Sequence, residues 1–153
     1  MTWMRRRGFT FVELMISITI VGFLASIAVP KYRDFKRKAY AARIVGDFDV
    51  IRIAAVSFYA DSGYYPAEAA TGAVPPNMDK YLPLNFKFVM PDWQLDYEHW
   101  QVAPLPGFSQ SGNVIGIAVN TANAPLGETT LRMLGNSPTF TNGANYTLVI
   151  IGM

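Results

Sequence analysis

The residues with the clearest chemical role lie near the start of the chain. Residues 5–13 read RRRGFTFVE, so three arginines and a glycine precede an apolar run that contains one carboxylate. Because Gly8 has no side chain, the backbone beside it can enter a narrow protease cleft in an extended conformation. A cut after Gly8 would remove the arginines and keep the apolar run. The pattern is thus compatible with proteolytic processing, in which residues 1–8 would be a cleaved leader.

The apolar run that follows is long enough to cross a membrane. Phe9 to Val29 comprises 21 residues, and Glu13 is the only charged side chain among them. About 20 apolar residues span the hydrocarbon layer as a helix. A carboxylate at the centre of such a helix costs about 2.5–3.5 kcal/mol, and one near the helix end costs less. We therefore predict a transmembrane helix over residues 9–29, in which Glu13 is stabilised by a partner or by the helix dipole.

The charges around this segment set its orientation. Arg5 to Arg7 predict that the chain starts in the cytoplasm, because cationic residues at a helix end resist translocation. A secretory signal peptide also has a basic start and an apolar run, but it is cut on the far side after small residues such as those at 25–28. We favour a retained anchor, because the apolar run leads directly into a second helical pattern.

Composition limits the remaining possibilities. The 153 residues form a 17.0 kDa chain with room for one compact domain, and the absence of Cys excludes disulfides and thiolate chemistry. The formal charge is +2, but a chain cut after Gly8 has ten basic against eleven acidic residues. Bulk charge therefore gives no support to nucleic-acid binding.

The same helix is predicted to continue over residues 30–60 as the second half of one long helix. Pro30 removes one backbone hydrogen bond and is expected to kink or loosen the helix locally. One apolar face should pack on the chain's own sheet, and a second should contact another subunit. The first face comprises Ile44, Phe48, Ile51, Ala55 and Phe58, and the second comprises Val50, Ile53 and Val56.

The remainder is predicted to form a loop and a sheet. Residues 61–92 contain repeated prolines and a turn-rich start, which favour a connecting loop. Residues 93–153 contain β-prone runs, and we predict four antiparallel strands in sequence order, giving an α+β fold in which the long helix packs on the sheet. The four predicted strands are Trp93–Ala103, Val114–Asn120, Thr129–Leu134 and Tyr146–Ile151.

The start of the chain resembles a known signal. Residues 6–14, RRGFTFVEL, resemble the class III signal of type IV pilins and type II secretion pseudopilins, and residues 29–32, VPKY, continue the resemblance. The resemblance implies that prepilin peptidase cuts after Gly8 and methylates Phe9 as the new N-terminus. It also implies that Glu13 is the acidic fifth residue of the mature chain and that Pro30 stands at the family's usual place.

The resemblance further implies a structural subunit without enzymatic activity or cofactor. Such a subunit is held in the bacterial inner membrane by a single span, with a cytoplasmic N-terminus before assembly, and the domain from residue 30 lies outside the cytoplasm. An assembly ATPase and a membrane platform then extract it into a helical filament of pilin subunits. We expect Glu13 to pair with the amino group of Phe9 on a neighbouring subunit.

Three alternatives remain open at this stage. The filament is either a cell-surface pilus or a periplasmic pseudopilus of a secretion system. The absence of Cys favours the pseudopilus. The chain is alternatively a minor or tip pilin that binds DNA, carbohydrate or a surface. A membrane-tethered enzyme would require a catalytic group of titratable residues in the outer domain, and the sequence shows none.

Other candidate residues have simpler interpretations. We predict that the cationic residues between Lys31 and Lys38 form a solvated collar, and that His99 lies on a strand edge. Asp96 and Glu98 share one face of a strand without a catalytic or metal-binding pattern, so no metal is assigned. Core packing is predicted for the aromatic residues Tyr59, Tyr64, Tyr65, Trp93, Tyr97 and Trp100.

Overall fold

The computed structural model describes residues 8–100 and 114–152, with the backbone alone for residues 151 and 152. In chain order, the elements are α1 (Phe11–Ser62), a short 3₁₀ helix (Asp79–Tyr81), β1 (Gln94–Trp100), β2 (Val114–Asn120), α2 (Ala124–Met133), β3 (Thr139–Asn142) and β4 (Asn145–Gly152). The chain divides into two compact units, one ending at Lys36 and one beginning at Arg37.

The α+β prediction is confirmed. The structure contains a 52-residue helix, α1, and a four-stranded sheet in which every pairing is antiparallel. Pro30 lies inside α1, and the helix continues through it to Ser62. Residues 101–103 of the first predicted strand lie outside the described residues.

The predicted third strand is wrong. Residues 129–133 belong to α2, and Leu134 is its C-terminal cap. Asn123 caps the start of α2 by accepting a hydrogen bond from the Leu126 backbone N–H at 3.3 Å. A proline in the first turn suits a helix start, since its missing N–H would have no partner within the helix. These signals outweigh the β-branched pair at residues 129 and 130.

The predicted sequence order of the strands is also wrong. The sheet has the order β1-β2-β4-β3, so β4 pairs with both β2 and β3. The departure lies in the pairing of β2 with β4, whereas β3 and β4 are joined by a two-residue turn between Asn142 and Asn145, in which Gly143 has a φ of +61°. Glycine adopts this left-handed conformation without steric cost, and such tight turns fold a strand directly back on its neighbour.

The core of the second unit lies between α1 and one face of the sheet. Ile44, Phe48 and Ile51 are at most 1% exposed and belong to one cluster with sheet residues such as Leu95 and Ile117. This confirms the predicted packing of the first apolar face of α1. Burying each large apolar side chain of this kind contributes about 1.5–3 kcal/mol.

The end of α1 packs differently from its middle. Phe58 is buried, but its ring contacts aromatic residues of the following segment, with centroid distances of 5.5 Å to Tyr64 and 5.7 Å to Tyr81. Both pairs meet edge to face, a geometry that aromatic quadrupoles favour. The final helical turn is therefore held by the α1–β1 connection.

Candidate processing and assembly site

The bond between Gly8 and Phe9 lies outside α1. Residues 8–10 carry no helical assignment, and the helix begins at Phe11. Gly8 is exposed, with no heavy atom within 4 Å of the position that a Cβ would take, and Phe9 is 75% exposed. The peptide bond at this position is thus open to solvent and lies outside the helix.

Thr10 and Glu13 fix the start of the helix. Glu13 Oε2 accepts hydrogen bonds from the Thr10 backbone N–H at 2.9 Å and from the Thr10 hydroxyl at 2.8 Å. In return, the Thr10 hydroxyl oxygen accepts the Glu13 backbone N–H at 3.2 Å. The Thr10 carbonyl also accepts the Leu14 N–H at 3.2 Å, the first backbone bond of the helix. This reciprocal arrangement is a capping box.

Thr10 is the functional residue that the sequence interpretation missed. Its spacing to Glu13 follows the T-x-x-E pattern of capping boxes, which could have identified it. An N-terminal cap of this kind contributes about 0.5–2 kcal/mol to helix stability. The bonds also satisfy backbone donors that would otherwise lack partners at the helix start.

The polar side chains further along the apolar segment bond to their own helix. The hydroxyls of Ser17 and Thr19 donate to the carbonyls four residues earlier, both at 2.7 Å, and the hydroxyl of Ser26 donates to the Phe23 carbonyl at 2.7 Å. Such bonds lower the cost of placing hydroxyls in hydrocarbon. Within the described residues, α1 is the one helix that is long and apolar enough to cross a membrane.

Pro30 and Glu13 are not brought together. Both lie on α1, separated by more than four helical turns, so Pro30 is no part of the cap. The missing N–H of Pro30 leaves the Ser26 carbonyl without its usual helical donor. Pro30 therefore affects the helix interior, whereas Glu13 affects its start.

The second apolar face of α1 is exposed within the domain. Ile53 is 62% exposed and Val56 is 46% exposed, while Val50 is half-buried. The spacing of three residues places them along one side of the helix. Asp49 and Arg52 beside this strip form an ion pair at 2.9 Å. The strip is thus an apolar surface next to neutralised charges.

Most of the remaining candidate residues have structural roles. The prediction for His99 is confirmed, because β1 is an edge strand and His99 Nδ1 lies 3.0 Å from the Pro66 carbonyl oxygen. Core packing is confirmed for Tyr65, Trp93 and Tyr97, which are all buried. Tyr64 is 61% exposed, so its prediction is wrong, although its ring contacts Phe58.

The other aromatic residues lie partly at the surface. Tyr59 is 40% exposed and stacks on Tyr65 with a centroid distance of 4.4 Å. Trp100 is half-buried and packs against Phe140 at 5.9 Å. Across the described ranges, no three His, Asp or Glu side chains are grouped so that they could hold a metal ion.

Comparison with known proteins finds similarity in the N-terminal part of the chain. The family model for the prokaryotic N-terminal methylation motif matches residues 3–29. The type IV major pilin protein of Neisseria gonorrhoeae is 34% identical over 74 residues, which are 48% of this chain and 35% of that protein. A fimbrial protein of Eikenella corrodens is 35% identical over 69 residues, which are 45% of each chain.

A third relative, a fimbrial protein of Pseudomonas aeruginosa, is 40% identical over 52 residues, which are 34% of each chain. The chain thus matches between about a third and a half of the length of these relatives. No solved structure is significantly similar to it. The N-terminal part of the chain is thus similar to a prokaryotic methylation motif and to the matching parts of type IV pilin and fimbrial proteins.

Proposed function

We propose that the chain is a structural, non-enzymatic filament subunit of a type IV pilus or type II secretion pseudopilus. The observation that carries the proposal is the capped helix start, which leaves Gly8 and Phe9 exposed immediately before a membrane-crossing helix. The relatives support it, because they are named as pilin and fimbrial proteins. In this proposal, prepilin peptidase cuts after Gly8 and methylates the amino group of Phe9.

Processing changes the electrostatics at the start of α1. The cut creates a positively charged amino group close to the positive end of the helix dipole, which is unfavourable unless a carboxylate lies near. Glu13 is the only carboxylate of the apolar segment. We infer that Glu13 caps its own helix in the membrane and pairs with Phe9 of a neighbouring subunit during assembly. That pairing would set the axial register of the incoming helix.

The exposed surfaces of α1 support polymerisation. Large apolar side chains between Phe11 and Val29 are about half or more exposed in the isolated chain, as expected for a segment surrounded by lipid or by other helices. In the domain, Ile53 and Val56 offer a second apolar strip to a neighbouring subunit. In the filament, the apolar segments would bury one another and replace lipid contacts with protein contacts.

The proposed location follows from processing and anchoring. Before assembly, the mature chain lies in the inner membrane with Phe9 at the cytoplasmic side and the domain from Pro30 onward outside the cytoplasm. The assembly ATPase acts from the cytoplasm through a membrane platform and draws the subunit into the filament. Pro30, inside α1, gives the helix a site of reduced backbone bonding at the junction with the domain.

The decisive experiment is intact mass analysis with N-terminal sequencing of membrane-extracted protein from cells with and without prepilin peptidase. We expect a chain that starts at methylated Phe9 only when the peptidase is present. A Gly8→Arg variant is the matched control and should remain uncut in both strains. An unprocessed chain in both strains, or a cut near Ala28, would contradict the proposal.

Assembly needs a separate measurement. We expect Glu13→Gln to be processed and membrane-inserted like the wild type but to yield few filaments in sheared-surface fractions and electron micrographs. Filaments on the cell surface would identify a pilus, and periplasmic filaments dependent on a secretion system would identify a pseudopilus. Wild-type filament yield from Glu13→Gln would favour a simple membrane tether.

A further inference from the structure

The connection between α1 and β1 is attached to β1 by three polar contacts. The Thr71 hydroxyl donates to Asp96 Oδ2 at 2.6 Å, and the Gly72 N–H donates to the Leu95 carbonyl at 2.8 Å. The Pro66 carbonyl oxygen lies 3.0 Å from His99 Nδ1. Residues 66–72, here called the strap, therefore lie along an edge strand of the sheet.

A third carboxylate, that of Glu68 on the strap, acts electrostatically on two carboxylates of β1. Asp96 and Glu98 alternate along the strand and so share one face of the sheet. Asp96 is 5% exposed and Glu98 is half-buried, while Glu68 belongs to the strap and is exposed. The negative charge of Glu68 acts on both strand carboxylates. The strap thus places a third negative charge beside two partly desolvated ones.

Neighbouring parts of the chain supply little counter-charge. The sequence contains no Lys or Arg between residues 62 and 79 or between residues 88 and 131, a range that includes β1 and β2. Residues 101–113 contain no titratable side chain, and the partners of Glu98 and Asp96 across β2 are Gly116 and Ala118. The other titratable side chains of β1 are those of Tyr97 and His99, which lie on the opposite face, and the His99 ring contacts the strap backbone.

This environment favours the protonated carboxyls. Burial, with further contributions from the charges of Asp96 and Glu68, raises the pKa of Glu98 from 4.5 to about 7. The pKa of Asp96 is also raised, mainly by burial, although the Thr71 hydroxyl opposes that shift. Because the folded pKa of Glu98 exceeds its unfolded value, the associated stability is present below about pH 4.5 and is lost as pH rises through about 7.

We propose that the strap is a pH-sensitive clasp on the edge of the sheet. It stays docked on β1 while the carboxylate group is partly protonated, and it loosens when Glu68, Asp96 and Glu98 are all ionised. The contacts of Thr71, Gly72 and Pro66 hold it in the docked state, and repulsion between the strap and the strand carboxylates opposes them. This device belongs to the folded domain and operates in the subunit whether or not it polymerises.

The test is hydrogen exchange of the full-length chain in detergent micelles at about pH 5.5 and about pH 8, corrected for the pH dependence of chemical exchange. A change of one pKa unit corresponds to a tenfold change in an equilibrium constant, and only part of the Glu98 shift comes from the strap. We therefore expect protection of the strap amides, including that of Gly72, to fall about three- to tenfold at the higher pH. Protection of α2 should not change.

Two variants connect any pH response to these carboxylates. Glu98→Gln should abolish the response, and Glu68→Gln, at an exposed position, should weaken it without disturbing the fold. Glu128→Gln is the control, because Glu128 lies on α2 and faces Arg132 at 3.6 Å. Equal strap protection at both pH values, or an unchanged pH response in both Glu98→Gln and Glu68→Gln, would overturn the proposal.

Discussion

The two compact units use the same helix in opposite ways. In the unit that ends at Lys36, α1 turns its apolar side chains outward, and Phe11 and Phe23 are 77% and 65% exposed. In the unit that begins at Arg37, α1 buries Ile44 and Phe48 against the sheet of the domain. Both units contain a segment of α1, so they differ in what the apolar side chains of that segment contact and not in their secondary structure. The second part carries its own partner, whereas the first is exposed in the isolated chain and, under the proposed function, packs against lipid or other helices.

The largest expected effect tests this contrast inside the domain. Phe48→Ala should destabilise the second unit by about 3–5 kcal/mol, because it removes a core side chain and leaves a cavity. Ile53→Ala, on the exposed strip of the same helix, should change stability by about 0.5 kcal/mol or less. Denaturant unfolding of the full chain in micelles, followed by tryptophan fluorescence, measures both values.

The exposed strip should matter for filament assembly and not for the stability of the monomer. Ile53→Ala should reduce filament yield while the monomer remains as stable as the wild type, since the strip is proposed to contact a neighbouring subunit. If Ile53→Ala lowered stability as much as Phe48→Ala, the distinction between an inward and an outward face of α1 would be wrong. Normal filament yield from Ile53→Ala would remove the strip from the proposed interface.

The contrast also explains which parts of the fold could be predicted from sequence. The face formed by Ile44, Phe48 and Ile51 repeats over several helical turns, so local periodicity identifies it. Residues 129–134 were mistaken for a strand because β-branched Thr129 and Thr130 dominate a short run, although Asn123 and the proline after it mark a helix start. For such short runs, helix and strand can be distinguished only when the helix-capping residues are considered together with the β propensity of the run.

The strand order depends on contacts that are distant in sequence. Antiparallel pairing of β2 with β4 joins residues separated by α2 and β3, and no local pattern specifies it. The Asn142-Gly143 pair is typical of a hairpin turn and could have predicted the β3–β4 pairing, which the sequence-based prediction missed. At the proposed processing site, Gly8, Phe9 and Glu13 were predicted from sequence, whereas the role of Thr10 required the hydrogen bonds of the structure.

An intermediate effect tests the packing of α2 on the sheet. A Cβ added at Gly127 would lie 2.2 Å from the ring of Tyr146, which is itself buried. Gly127→Ala should therefore destabilise the domain by about 1–3 kcal/mol, despite the better helix propensity of alanine. Gly135→Ser is unsuitable as a control because Gly135 has a φ of +63°.

Glu128→Ala provides the matched control for Gly127→Ala on the same helix. Glu128 is exposed, and its contact with Arg132 is a surface ion pair that contributes about 0.3–0.5 kcal/mol. Thermal unfolding should show a lower unfolding temperature for Gly127→Ala than for Glu128→Ala. Equal stability of Gly127→Ala and the wild type would show that Tyr146 can move aside and that α2 tolerates a wider separation from β4.

The smallest expected effect concerns the outward-facing unit and its capped start. Thr10→Ala removes the hydroxyl that both donates to Glu13 and accepts its N–H, so the first helical turn should lose about 0.5–2 kcal/mol. Hydrogen exchange in micelles should show faster exchange of the amides of Glu13 and Leu14, by about two- to thirtyfold. The amides in the middle of α1 should not change.

Thr10→Ser separates the cap from simple side-chain size. Serine retains the hydroxyl and should keep most of the protection, because it is an equally good N-terminal cap. If both variants exchanged like the wild type, the bonds between Thr10 and Glu13 would contribute nothing to the helix start in a membrane-like environment. Loss of protection only in Thr10→Ala would show that the first unit, although it lacks a sheet, has one locally stabilised element, located two residues after the proposed cleavage point.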